Sequence, residues 1–230
     1  MQNIIISTIK SWNIENALKL QQNLAENYTL TIIHKPDDLT IGEVKKINPR
    51  YIFFPHWSWM IPEEIYRNYE CVVFHMTDLP YGRGGSPLQN LIIRKKYDTK
   101  LTALEASEET DGGRIYCKRK VNIKTGSAED ILKRLSTIIF TEMIPKILTE
   151  NPTPVEQVGE VIKFKRRTPR ESNVEILKEL STEDLYDFIR MLDGEGYPQA
   201  FIKIGNVKMR LSKAEYKDGK LTGKFEVSNE

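Results

Sequence analysis

His75 closes the apolar run Cys71 to Phe74 and opens the segment His75-Met-Thr-Asp78-Leu-Pro-Tyr-Gly-Arg83-Gly84. An imidazole, a carboxylate and a guanidinium therefore lie close together in the chain, beside glycines that let backbone approach a ligand. His56 sits in a similar place, just past the run Tyr51 to Phe54, and Asp111-Gly-Gly113 follows 36 residues after His75. A neutral imidazole can take up a proton and a nearby carboxylate can orient and charge it, which suits acid–base work on a nucleophile. Each residue also has a local reading. His75 could cap its strand through backbone, Asp111 is a favoured turn residue in Thr-Asp-Gly-Gly, and Arg83 could be a solvated loop arginine.

The elements that must position these groups follow from hydrophobic periodicity. Asn3 to Thr8, Thr29 to His34, Tyr51 to Phe54 and Cys71 to Phe74 are short apolar runs. Between them lie helical spacings at Ile14, Ala17, Leu18, Gln21 and Leu24, at Val44 and Ile47, and after Pro62-Glu63-Glu64. Continuous apolar strands alternating with helices predict an α/β, Rossmann-like, mostly parallel sheet covered on both faces. In such sheets ligands bind beyond the carboxyl ends of the strands, where His56 and His75 fall.

Tyr81 to Pro87 reads as a glycine-rich loop, and Leu88 to Arg94 as a helix. The runs Leu101 to Ala106 and Arg114 to Val121 read as an antiparallel pair around the Glu108 to Gly113 turn. One amphipathic helix is predicted from about Ala128 to Leu148. Asn151-Pro-Thr-Pro154 is the clearest linker, so residues 1–150 are expected to form the main domain. Residues 151–230 form a small C-terminal α+β subdomain, with a helix around Leu185 to Leu192 and β-like runs 199–211 and 221–227.

The totals bound the partners. Thirty-four basic against 32 acidic residues leave a net charge of +2, which implies no bulk capture of nucleic acid or anionic membrane. No apolar run approaches the roughly 20 residues that span a bilayer. Two cysteines in apolar or β-rich runs and a start without a signal-peptide layout predict a cytoplasmic protein with reduced thiols. The three histidines are scattered and form no cluster with metal-ligand spacing, so no metal is expected.

The string His75-Met-Thr-Asp-Leu79-Pro80-Tyr-Gly-Arg83-Gly84-Gly-Ser-Pro87 resembles the signature of the formyltransferases that use 10-formyltetrahydrofolate. In that signature a histidine precedes a Ser-Leu-Leu-Pro-like turn and then Arg-Gly, and an Asp-x-Gly turn follows at the distance seen for Asp111. Trp57-Ser-Trp59-Met60-Ile-Pro62 resembles the segment that walls the folate pocket. Phe164 to Ser172 and Ile189 to Phe201 are similar to the C-terminal part of sugar formyltransferases, and a formyltransferase of the pseudaminic acid pathway is one specific likeness.

The resemblance implies that His75 is the base or oxyanion-side partner, and that Asp111 orients and charges it while contacting the transferring group. It places Trp57, Trp59 and Met60 against the pterin, with core packing as their alternative. It sets Arg83 at a sugar phosphate or hydroxyl, and Asp78 at a substrate ammonium or as a loop cap. The basic group Lys163, Lys165, Arg166 and Arg167 reads as a solvated face. The family asparagine two residues before the histidine is Val73 here, and His56 on the neighbouring strand is expected to replace its amide donor.

On this reading the chain formylates a nucleotide-linked amino sugar, with no nucleic-acid or membrane partner and with the C-terminal unit as a homodimer surface. Methionyl-tRNA formylation is the second reading, weighed down by the short C-terminal unit and the near-neutral charge. Glycinamide ribonucleotide formylation and a non-catalytic folate or sugar-nucleotide binding protein are the others.

Overall fold

The structure, a computed structural model, describes residues 1–177 and 179–229. The chain runs β1 (Gln2–Ser7), α1 (Ser11–Leu24), β2 (Tyr28–Ile33), α2 (Ile41–Ile47), β3 (Tyr51–Phe54), α3 (Glu63–Tyr66) and β4 (Glu70–His75). It continues through β5 (Tyr81–Gly84), α4 (Pro87–Ile93), β6 (Asp98–Glu105), β7 (Ile115–Asn122), α5 (Ala128–Ile138), α6 (Ile144–Glu150) and β8 (Ile162–Phe164). Helix α7 (Thr182–Arg190) and strands β9 (Ala200–Ile204), β10 (Val207–Lys217) and β11 (Lys220–Asn229) complete the order.

The main sheet has the order β2-β1-β3-β4-β6-β7. The first four strands are parallel, and β6 joins β4 antiparallel. Successive side chains on a strand point to opposite faces, yet Ile4, Ile5 and Ile6 are all fully buried, as are Ile52 and Phe53. Both faces are therefore covered, and this is why the strands read as continuous apolar runs.

Local differences from the predicted elements have physical causes. The buried stripe of α1 is Trp12, Asn13, Ala17 and Leu20, and Leu18 is exposed. The helix predicted for 128–148 is interrupted by a π-helical segment, Ile139–Met143, just before Pro145. Proline has no N–H to give to residue 141, so the backbone widens its turn there. Tyr81–Gly84, read as loop, is a strand because β8 pairs with it.

The chain divides into two compact units. The first is Met1–Arg83, Lys100–Val121 and Lys133–Lys163; the second is Gly84–Thr99, Asn122–Leu132 and Phe164–Glu230. In the second, β9, β10 and β11 form an antiparallel sheet, and a turn at Gly205 (φ 57°) splits the expected run 199–211. Ser181 and Asp184 form a capping box at α7, and Arg190 donates to Asp187 at 2.7 Å and to the carbonyls of Ile123 and Gly126. Both cysteines are free, and among the described residues no helix is long and apolar enough to cross a membrane.

Candidate active site

Strand β1 lies between β2 and β3, so the chain changes direction across the sheet there, and the carboxyl ends of β1 and β3 are where such a topology forms a ligand-binding crevice. That crevice is lined with polar groups in the first unit. Thr8 Oγ1 donates to the Pro55 carbonyl at 2.6 Å, and Asn13 Nδ2 lies 2.9 Å from His56 Nδ1. An amide nitrogen only donates, so His56 Nδ1 accepts and its neutral ring carries hydrogen on Nε2. Burial first, and the charge of Lys10 second, push the His56 pKa down to about 4, so the ring is neutral near pH 7. His56 has φ 53°, a left-handed conformation that histidine tolerates better than most residues.

His75, 8% exposed, ends β4. Its Nε2 lies 2.8 Å from the Gly82 carbonyl, which can only accept, so Nε2 carries a hydrogen. Its Nδ1 then faces Asp111 Oδ1 at 3.4 Å. With the ring neutral, this is a pair of acceptors able to share one incoming proton; with the ring protonated, it is an ion pair. That geometry suits a general base that is stabilised once charged.

The return of the chain to Gly82 is held from several sides. Lys118 Nζ bonds Asp78 Oδ1 and the Leu79 carbonyl, each at 2.5 Å, and Lys100 Nζ lies 2.9 Å from Asp78 Oδ2. Burial raises the Asp78 pKa, but Lys118 and Lys100 outweigh it and the carboxyl stays below its usual range. Asp78, expected at a substrate ammonium, is thus engaged by two lysines and closes the loop. Gly82 reaches φ 79°, a conformation that favours glycine.

Arg83, 7% exposed, is likewise turned inward. Nη1 bonds Glu109 Oε2 at 2.8 Å, while Nε and Nη2 bond Gln157 Oε1 at 3.0 and 2.8 Å. Its guanidinium thus bonds protein side chains where a sugar phosphate or hydroxyl was expected, and Gln157 had no sequence signal because it lies in an irregular segment.

Trp57 packs at the edge of the sheet core, with Phe54 and Trp59 as edge-on partners at 6.0 and 5.1 Å. Trp57 Nε1 is buried without a hydrogen-bond partner, whereas Trp59 and Met60 are 45% and 84% exposed. Val73 packs on Leu79, Leu104 and Ile115, which explains an apolar residue at that position. The structure therefore groups His75 with Asp111 and His56 with Asn13, while the side chains of Asp78 and Arg83 bond protein partners. Asn13, Gly82 and Gln157 are the residues that sequence reasoning missed. In the second unit a cavity of about 570 Å³ lined by Ser127, Tyr186, Arg190 and Lys213 holds none of the predicted residues. Among the described residues, no group of three His, Cys, Asp or Glu could hold a metal ion.

Residues 169–228 match the family model of the methionyl-tRNA formyltransferase C-terminal domain. The chain is 50% identical to a methionyl-tRNA formyltransferase from Clostridium thermocellum, with TM-score 0.96 and 100% of each chain covered. The chain belongs to the formyltransferase family. The methionyl-tRNA formyltransferase of Malacoplasma penetrans is 24% identical over 92% of this chain. The chain spans 60–65% of the length of that relative and of those from Campylobacter jejuni and Clostridium perfringens. A sugar N-formyltransferase from Shewanella shares the fold, with TM-score 0.70 at 16% identity over 97% of this chain and 96% of its own.

These findings overturn the expected sugar-amine acceptor and the pseudaminic acid likeness, because the relative at 50% identity is a methionyl-tRNA formyltransferase. The expectation that nucleic acid is no partner falls with it. Net charge misled because it averages 34 basic residues over the whole surface, whereas phosphate contacts depend on where those residues lie.

Proposed function

We propose that this chain transfers the formyl group of 10-formyltetrahydrofolate, the formyl donor of the family, to the amine of methionyl-tRNA. The carrying observation is His75 with Nε2 fixed on the Gly82 carbonyl and Nδ1 facing Asp111 at 3.4 Å. The identity of 50% to a methionyl-tRNA formyltransferase supports the acceptor.

When bound, the donor supplies an electrophilic formyl carbon whose oxygen gains negative charge as the amine attacks. His75 Nδ1 takes the proton leaving the amine, Asp111 stabilises the imidazolium so formed, and that proton passes to the donor nitrogen as its bond to the formyl carbon breaks and tetrahydrofolate leaves. Neutral His56 offers its Nε2–H as a hydrogen-bond donor in place of the amide absent at Val73. The residues present fit the donor: a buried indole N–H without a partner at Trp57 and uncovered apolar side chains at Trp59 and Met60 suit a flat heteroaromatic ring bearing acceptors.

The test is to incubate the chain with 10-formyltetrahydrofolate and methionyl-tRNA. Formyl-methionyl-tRNA and tetrahydrofolate should appear in equal amounts, with a KM for tRNA that rises with salt. Intact donor and unmodified methionyl-tRNA at the end would refute the reading.

A further inference from the structure

We infer that Gln157 is a positioning residue that holds Asp111 against His75, an inference that rests on the proposed transfer reaction. Its amide is fully used. Nε2 donates to the carbonyls of Asp111 and Gly113, both at 2.8 Å, and Oε1 accepts from Arg83 Nε and Nη2 at 3.0 and 2.8 Å. Two donors and two acceptor sites are all that a glutamine side chain has.

The turn that Gln157 grips needs such a grip. Asp111 has φ 54°, which costs a non-glycine residue about 1–2 kcal/mol. Two residues on, Gly113 runs so close to the Glu105 backbone that a Cβ would meet its carbonyl oxygen at 2.0 Å, so no side chain there can anchor the turn. The two carbonyls that flank this strained stretch are the ones Gln157 holds.

The other end of the link is equally specific. Arg83 follows Gly82 in β5, and the Gly82 carbonyl fixes the His75 ring. One strand therefore sets both partners, His75 directly through a backbone carbonyl and the Asp111 turn through Arg83 and Gln157. Lys163 first and Arg83 second hold the Glu109 carboxylate below its usual range, so Glu109 stays charged as the second brace on Arg83. Only an amide serves at position 157. A carboxylate could still accept from Arg83 but would turn an oxygen toward two carbonyl oxygens, and once protonated it could donate to one of them.

Gln157→Glu and Gln157→Ala should each lower kcat by roughly 10²-fold, with KM for donor and acceptor held within about twofold, because displacement rather than binding is lost. Arg83 keeps the new carboxylate of Gln157→Glu charged, so Gln157→Glu should lose as much as Gln157→Ala at every pH from 8 to 5.5, with Tm close to wild type in both. Unchanged kcat, a rise in KM that accounts for the loss, or full activity in Gln157→Glu would overturn the inference. If the wild type itself formylates nothing, the transfer reading fails. The positioning claim is then read from the His75 ring-nitrogen NMR resonances, which must differ between wild type and Gln157→Ala and would refute it if they coincided.

Discussion

The crevice of the first unit and the C-terminal sheet of the second are built on opposite rules. Around His75 the buried polar groups His75, Arg83 and Thr102 have named partners, and the two left-handed residues His56 and Asp111 stand beside the proposed chemistry. In the C-terminal sheet, Ile204, Phe225 and Val227 are 55%, 64% and 53% exposed, and the left-handed residues Lys213 and Asp218 mark only a bulge and a turn. Strain is tolerated in the first region because surrounding hydrogen bonds over-determine it, as functional sites often require. The second is a surface sheet, in which one side chain can change at little cost.

Substitutions can break or sharpen that contrast. Asp111→Asn should have the largest effect, a loss of kcat of roughly 10³-fold or more with far-UV circular dichroism and Tm retained, because the imidazolium loses its counter-charge. His56→Ala should cost roughly 10²–10³-fold in kcat if its Nε2–H replaces the missing amide, and unchanged turnover would remove it from the mechanism.

The third effect is on stability. The His56 pKa is lowered from 6.5 to about 4 by burial first and Lys10 second, so below pH 6.5 the unfolded chain binds a proton that the folded chain refuses. Stability should therefore be lost as pH falls from 6.5 to 4, by about 3 kcal/mol at most, and His56→Gln should flatten that slope in urea melts. Smallest of all, Phe225→Ala should change stability by no more than about 0.5 kcal/mol and leave kcat untouched. A clear fall in kcat there would show that the two regions are not separable.

The parallel strands were legible because burial on both faces leaves an unbroken apolar run in β1, β3 and β4. Strand β5 was not, since Tyr-Gly-Arg-Gly has the composition of a loop and becomes a strand only by pairing with residues some eighty positions away. His75 and Asp111 were legible as a motif at fixed distance, and the structure brings them together at 3.4 Å. Asn13 and Gln157 were not, because an amide acquires its role from partners that tertiary structure supplies. The acceptor was misread because the motif is tied to formyl transfer and not to one acceptor amine, and net charge is an average over the whole chain.

The central claim is that His75 accepts the amine proton through Nδ1 with Asp111 behind it. Its most direct test compares single-turnover formylation of methionyl-tRNA by wild type and His75→Ala at saturating donor and acceptor. The account predicts a rate lower by at least about 10³-fold for the variant, no smaller than the loss in Asp111→Asn, with donor affinity unchanged in a fluorescence titration. A variant that formylates at the wild-type rate would contradict it.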